Sequence, residues 1–503
     1  MSDNCVPEIF SPTFFGAEVL NIRASIVSNF SSPYVEQVPT FCNVSVGYTH
    51  PGVGDNINVE VWLPIENWNQ RYMGVGGGGF SPGLSPLFYD PGALALSSGF
   101  APAWTDAGLH AYDRNFFEVP WALKSSGNVD LIAMQNFGVT SLGDMALIAK
   151  SVIESFYGQA PEYSYWNGCS HGGRQGMQLA QSYPDAYDGI LANAPAMSAN
   201  QVFSTMHWPY QAMLNAGKFP PECEFDAITE AAISACDDLD AITDGIITEV
   251  KQCRDLFDPF TMVGTAVQCA TSGANETLEV STEAAQIMKD VWGGITTKDG
   301  AQVWFGFPPG TDMTGNGPTA VPNSLGPLET RCEQGVCEGN FLVRDLEVDL
   351  KTLSHEDFVD LVHYGRRYRS FFATDDSDLS RFRKAGGKLL TAHGIDDMLI
   401  PYEGTQKYYE DVLARDSNAQ DFYRYFETPG WAHCEGGPNA GPNALFSQLM
   451  AWVENGTAPD SSPVQITVPN GDIHERILCP FPQRAQLKDC GDPTRSECWK
   501  CID

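Results

Sequence analysis

Positive charge is scarce in this chain: 29 Lys and Arg stand against 63 Asp and Glu, a formal net charge of −34. A surface this acidic repels phosphate backbones and anionic headgroups, which argues against nucleic acid and membranes as partners. The acidic residues are spread along the chain rather than gathered in a tail, so they read as a solubilising surface. Long apolar runs are missing as well. No stretch of roughly 18 consecutive apolar residues, the length a membrane-spanning helix needs, occurs in the sequence. There is no paired C-x-x-C zinc ladder and no internal repeat. The single C-x-x-C, Cys498 to Cys501, sits at the extreme C-terminus, where a disulfide staple is expected rather than a redox centre. No leader peptide is visible: Met1-Ser2-Asp3-Asn4-Cys5 reads as a mature start behind an added methionine.

What is present is globular and suited to an oxidising compartment. The 503 residues are 43% hydrophobic and 11% aromatic, enough for a large ordered core. Fourteen cysteines, an even number, point to disulfides and so to secretion. The N-x-S/T sequons at Asn29, Asn43, Asn275 and Asn455 agree with a secreted glycoprotein.

The most informative stretch is Tyr163 to Gln178. An aromatic run, Tyr163 to Trp166, reads as a buried strand leading into Gly168, Ser170 and Gly172. These fit G-x-S-x-G, the sharp strand-to-helix turn that presents a serine hydroxyl above a sheet edge. Upstream, the strand-like Tyr72 to Val75 ends in Gly76, Gly77, Gly78 and Gly79, which place bare backbone N–H groups where a substrate oxygen approaches. Between the two, Leu142, Met145, Ile148, Val152 and Phe156 recur at helical spacing up to Gly158 and Pro161. Asn56 to Leu63 alternates like a half-buried strand near a sheet edge, and Gly189 to Pro195 reads as the strand after the elbow. Strand, helix, strand, elbow and helix is the rhythm of a parallel sheet with crossover helices, an α/β fold of the α/β-hydrolase type.

That rhythm breaks over 205–383, where helical segments such as Phe225 to Ala235 and Ser281 to Trp292 alternate with Gly/Pro-rich loops. We read 205–383 as an inserted lid domain, and 1–204 with 384–503 as the catalytic domain. The sheet resumes at Lys388 to Gly394 and at Asp421 to Phe426, and a helix over Ala444 to Glu454 precedes a Cys-rich tail.

Serine attack on a carbonyl needs a base for the hydroxyl proton and a carboxylate to orient that base. His393-Gly394-Ile395-Asp396-Asp397 follows a late strand and offers two acids, Asp396 and Asp397. His433, in the glycine-rich loop after the last strand, offers the base. Cys169 precedes the serine and Cys434 follows the histidine; if the two catalytic groups meet, their neighbours come within disulfide reach. Such a bridge would hold base against nucleophile.

Together, Gly-Cys-Ser-x-Gly-Gly-Arg, His-Gly-x-x-Asp with a following Ile-Pro, and Pro-Gly-x-x-His-Cys-x-Gly-Gly resemble the tannase/feruloyl esterase family, over nearly the whole chain. The resemblance implies Ser170 as nucleophile, His433 as base, Asp397 rather than Asp396 as acid, and a Cys169–Cys434 disulfide. It implies oxyanion donors at the amide of His171 and at Gly77 or Gly78. It also implies a structural Ca²⁺ in the acidic run Cys236 to Ile246, with side-chain ligands Asp237, Asp240 and Asp244, carbonyl ligands Ile242 and Ile246, and a flanking Cys236–Cys253 disulfide. From physics alone a solvated acidic turn explains that run equally well. The other expected pairings are Cys5–Cys42, Cys223–Cys269, Cys332–Cys337, Cys479–Cys501 and Cys490–Cys498. The activity implied is hydrolysis of hydroxycinnamate (ferulate-type) esters, on a small aromatic ester or a feruloylated plant cell-wall polysaccharide. The alternatives are a tannase acting on gallate esters and, from another class, a non-catalytic calcium-stabilised binding protein.

Overall fold

The computed structural model describes all residues except 1, 36, 110–119, 272–273, 315–351, 489 and 491. A nine-stranded sheet organises it. The strands are β1 (Glu18–Val27), β2 (Phe41–Thr49), β3 (Ile57–Pro64), β4 (Arg71–Val75), β5 (Ala101–Thr105), β6 (Tyr163–Cys169), β7 (Gly189–Asn193), β8 (Lys388–Gly394) and β9 (Tyr423–Thr428). Their spatial order is β1-β2-β3-β5-β4-β6-β7-β8-β9. The first three and β5 pair antiparallel. From β5 through β4, β6, β7 and β8 to β9 every pairing is parallel. This is an α/β-hydrolase sheet, and the candidate catalytic residues follow the carboxyl ends of its parallel strands, where open α/β sheets bind ligands.

Burial follows the pairing. The parallel strand β8 is covered on both faces, with Leu389 through Gly394 all buried, so its sequence is a continuous apolar run rather than an alternation. In β3 the alternation Ile57 to Val61 gives way to full burial from Trp62 to Pro64. Helix α1 (Ser141–Tyr157) buries the predicted stripe and ends at Gly158, whose left-handed φ of 75° an L side chain adopts only with strain. One expectation needs adjusting here. The chain has no unbroken apolar run, yet a π-helical turn at Asn136–Thr140 joins α1 to a preceding helix, and the combined Leu131–Tyr157 has the length and composition of a membrane span. Its apolar side, from Leu142 to Phe156, packs into the main core instead.

The inserted region holds α3 (Ala199–Ala216), α4 (Glu222–Cys236), α5 (Thr282–Gly293) and α6 (His355–Gly365). Helix α3 runs through the 204/205 boundary drawn from sequence, which therefore falls inside an element. One apolar cluster unites Tyr210 and Met213 of α3, Phe225 of α4 and Met288 of α5 with Met398, Leu399 and Ile400 after β8 and Ala432 after β9. The insertion thus shares its core with the loops that carry the candidate site.

Disulfides join Cys5–Cys42, Cys169–Cys434, Cys223–Cys269, Cys236–Cys253, Cys479–Cys501 and Cys490–Cys498. Cys332 and Cys337 lie outside the described residues.

Candidate active site

The elbow is built by close backbone approach. A Cβ on Gly168 would stand 2.4 Å from the carbonyl oxygen of Gly172, and one on Gly76 would stand 2.5 Å from the Gly172 Cα, so these positions admit only glycine. Ser170 itself sits at φ 62°, ψ −121°, a strained conformation for a residue with a side chain. Its N–H donates to the Asn193 carbonyl at 3.0 Å, and its carbonyl accepts from Arg174 N at 2.9 Å. Helix α2 (His171–Ser182) starts immediately after it. The first amides of a helix have no intrahelical acceptor, so the N–H of His171 emerges beside the serine.

The base and the acid meet as a pair. His433 Nδ1–H donates to Asp397 Oδ2 at 2.7 Å, leaving Nε2 with its lone pair. Asp397 Oδ1 accepts from the amides of Leu399 and Ile400, each at 2.8 Å. A second histidine, His393, reaches Asp397 Oδ2 with Nε2 at 3.2 Å. Burial alone would raise the Asp397 carboxyl. The two histidines, His433 foremost, outweigh it and hold the group far below the usual carboxylate range. Asp396, next in sequence, has no such company, and burial pushes it up to about 7. Of the two candidate acids, the structure brings Asp397 to the histidine.

Cys169 and Cys434 are bonded at 2.01 Å, with their Cα atoms 5.9 Å apart and 265 positions between them in sequence. The bridge ties the residue before Ser170 to the residue after His433.

The glycine-rich loop corrects one expectation. The Gly77 N–H donates to Gln175 Oε1 at 2.9 Å, so it is engaged within the protein and not presented to a substrate oxygen. The Gly172 N–H is likewise taken, by the Gly77 carbonyl at 2.9 Å. Gly78 lies in a tight turn paired with Ser81, its carbonyl accepting from Ser81 N at 2.9 Å. Gln175 completes the brace by donating Nε2–H to the Pro82 carbonyl at 2.8 Å.

The side chain of His171 turns away from the chemistry. It is 3% exposed and stacks on Phe137, ring centroids 4.3 Å apart, and burial together with nearby Arg174 keeps it neutral. Arg174 is fully buried and donates to the carbonyls of Phe372 (2.8 Å) and Gly138 (2.9 Å), anchoring the elbow helix to the end of the insertion. Sequence reasoning missed the roles of Gln175, Arg174 and His393, although all three lie inside the motif stretches.

A family model described as tannase and feruloyl esterase matches residues 42–502. The chain belongs to that family. It is 34% identical to a probable feruloyl esterase of Arthroderma benhamiae, over 97% of this chain and 92% of that relative. It is 29% identical to a tannase of Aspergillus oryzae, over 88% and 83%. Among solved structures, a tannin acyl hydrolase from Aspergillus niger superposes with a TM-score of 0.82 at 25% identity, covering 99% of this chain and 95% of that one. As a tannase/feruloyl esterase family member the chain is a carboxylic ester hydrolase, which sets aside the reading as a non-catalytic binding protein.

The family member's acidic run forms a loop bracketed by the Cys236–Cys253 disulfide. Asp237 Oδ1 accepts from the amides of Asp244 and Gly245 at 3.0 Å and of Ile246 at 3.3 Å. Asp240 Oδ1 accepts from Ile242 N at 3.0 Å. Asp244 Oδ2 receives Arg476 Nη2 of the C-terminal tail at 3.0 Å. Burial pushes Asp244 up to about 6; Arg476 opposes this, while Asp240 and Asp237 add to it. Among the described residues no three His, Cys, Asp or Glu side chains stand in a metal-ready group. What fits a hard cation is charge and donor type: three carboxylates against one guanidinium, with oxygen donors throughout.

Proposed function

We propose that this chain is a secreted serine esterase that cleaves hydroxycinnamate esters, of the ferulate type, on plant cell-wall polysaccharide. The observation that carries the mechanism is the 2.7 Å Asp397–His433 contact on a loop covalently tied to the Ser170 elbow. His433 Nε2 takes the Ser170 hydroxyl proton as Oγ bonds to the ester carbonyl carbon. The carbonyl oxygen becomes an oxyanion held by the amides of His171 and Gly78. The carbon–alkoxy bond then breaks, and the same proton passes from His433 to the departing alcohol. Water, deprotonated by His433, attacks the acyl-enzyme; the ester bond to Oγ then breaks as His433 returns that proton to Oγ, and the acid leaves.

Support for a ferulate-type acyl group comes from the 34% identity to a probable feruloyl esterase over 97% of the chain. The similarity to tannases keeps gallate esters as the second reading. Initial rates on methyl ferulate, caffeate, sinapate and gallate decide between them, and preference for gallate would replace the first reading with the second. Replacing Ser170 by Ala is expected to abolish turnover in a folded protein; retained hydrolysis would overturn the mechanism.

A structural Ca²⁺ at Asp237, Asp240 and Asp244, with the Ile242 and Ile246 carbonyls, is supported by the unbalanced negative charge of that loop. It would stabilise the insertion against the tail and take no part in the chemistry. Secretion is supported by the six disulfides. Glycans are placed on the exposed Asn29 and Asn455. Asn43 is a poor acceptor, because it lies within β2 with its carboxamide bonded to Glu60.

A further inference from the structure

An aspartate that orients a catalytic histidine needs its own orientation fixed, because a carboxylate free to swing carries the base with it. The backbone amides of Leu399 and Ile400 hold Oδ1 of Asp397. Oδ2, the oxygen that His433 uses, has one further donor, His393 Nε2 at 3.2 Å. The state of that ring follows from its partners. Nε2 also lies 3.0 Å from the Ile400 carbonyl, and both a carbonyl and a carboxylate only accept, so Nε2 carries the proton and shares it between them. Nδ1 lies 2.8 Å from the Thr405 hydroxyl, on helix α7 (Tyr402–Arg415), which fixes the ring plane. His393 is 0% exposed, and Thr405 is 1% exposed. A ring buried this deeply has no route to substrate.

Resting on the triad reading above, we propose that His393 is a positioning residue for ester hydrolysis. It is a second histidine on the triad carboxylate, whose Nε2–H pins the shared oxygen of Asp397 and draws off part of its charge, so that His433 is aimed at Ser170 and kept ready as a base. Thr405 is the outer member of this relay. The order Thr405, His393, Asp397, His433 runs from helix α7 to the reacting serine.

The other titratable groups on the packed elements are Asp396 in the same loop; Tyr423, Arg424, Tyr425 and Glu427, the last opposite His393, on β9; and Tyr402, Glu403, Lys407, Tyr408, Tyr409, Glu410, Asp411 and Arg415 on α7. Asp396 and Glu427 are both buried carboxyls pushed up to about 7. Glu403 is paired with Arg254, and Lys407 with Asp411. All of them remain when His393 is replaced, so a difference between two pH profiles isolates the histidine.

The test compares the wild type with His393→Ala, His393→Gln and Thr405→Val on one methyl ester, reading kcat, KM and the pH dependence of kcat/KM. With the donor gone, the Asp397 charge bears fully on His433 and the base stays protonated to higher pH. The acid limb of kcat/KM is then expected to move up by about half a unit to one unit in His393→Ala. Turnover is expected to fall by about tenfold to a hundredfold with KM little changed. His393→Gln, which keeps an N–H donor, is expected to recover part of both effects, and Thr405→Val to show a smaller shift in the same direction. A purely structural histidine would lower kcat without moving the limb. An unmoved limb in a folded variant, or full activity in His393→Ala, overturns the proposal. Should His393→Ala fail to fold, Thr405→Val and His393→Gln carry the same reading. Ser170→Ala runs alongside: hydrolysis retained there sinks the triad reading itself, whereas an inert Ser170→Ala with unaltered His393 variants sinks only this inference.

Discussion

Asp397 and Asp244 are both buried carboxylates in loops, and the molecule treats them in opposite ways. Four N–H donors converge on Asp397: two backbone amides and two imidazoles. They hold it ionised well below the usual carboxylate range, despite a burial that favours the neutral acid. Asp244 has one guanidinium at 3.0 Å and two acidic neighbours, and burial leaves it raised to about 6. The first environment is complete in protein atoms alone, so the aspartate is ready to orient a base. The second has fewer protein donors than negative charges, which is the ground on which a divalent cation is proposed there. What separates the two carboxylates is the count of donors around each, since the residue type is the same.

The strongest way to break this contrast is to take the charge from the completed site. Asp397→Asn is expected to lower kcat by about 10⁴-fold, because the amide cannot stabilise the imidazolium and favours the wrong tautomer of His433. A kcat within tenfold of wild type would show that the donors around Asp397 serve another purpose. Opening the clamp comes next. The double variant Cys169→Ser, Cys434→Ser is expected to lose about 2–5 kcal/mol of stability by denaturant unfolding, together with turnover, because the base loop is no longer tied to the elbow.

The acidic loop offers a gentler test. Calcium at a hundredfold excess over its Kd is expected to add about 2.7 kcal/mol, seen as a higher Tm that a chelator reverses. Asp240→Asn should erase that response while leaving the pH profile of hydrolysis alone, and a Tm indifferent to calcium would remove the ion from the loop.

The smallest effect concerns carboxyls with too little compensation for their burial: Asp396, with one backbone hydrogen bond from Gly430, and Glu427, with only the more distant charge of Arg484. Asp396 and Glu427 are raised to about 7 in the fold. A group whose folded pKa lies above its unfolded value binds its proton more tightly when folded, so its contribution is present below about pH 4 and lost as pH rises through about 7. Glu427→Gln is expected to flatten that decline across the window, measured as stability against pH. A decline of unchanged slope would show that Glu427 is already satisfied.

Much of this was legible in the sequence because local signals coincide with global ones. Lys388 to Gly394 reads as a strand over the same span the structure gives β8, since an apolar run bounded by glycine leaves little choice. The elbow glycines and Ser170 were fixed by a steric requirement that sequence spacing expresses directly. The engagement of Gly77 was not legible, because it depends on Gln175 reaching across from another element, 98 positions away. For the same reason His393 read only as part of a motif: its contacts with Ile400 and Thr405 exist once β8 has met α7. The residue at which the insertion starts was not legible, because helix α3 continues through 204/205 with Pro209 inside it. The hairpin Ala266–Thr271 with Ala274–Glu279 escaped notice because short polar strands in an insertion show no core-facing alternation.

The Cys169–Cys434 bridge has a further consequence for the chain as a covalent object. Every other disulfide between described residues closes a ring lying wholly before position 270 or wholly after position 478. A single cut by a protease between helix α6 and strand β8 would divide the polypeptide into two fragments, with the serine on one and the aspartate and histidine on the other. This one bond would keep them together. The nicked enzyme would then run as one species on a non-reducing gel and as two after reduction, and its two catalytic halves would part company only when a reductant reached the site.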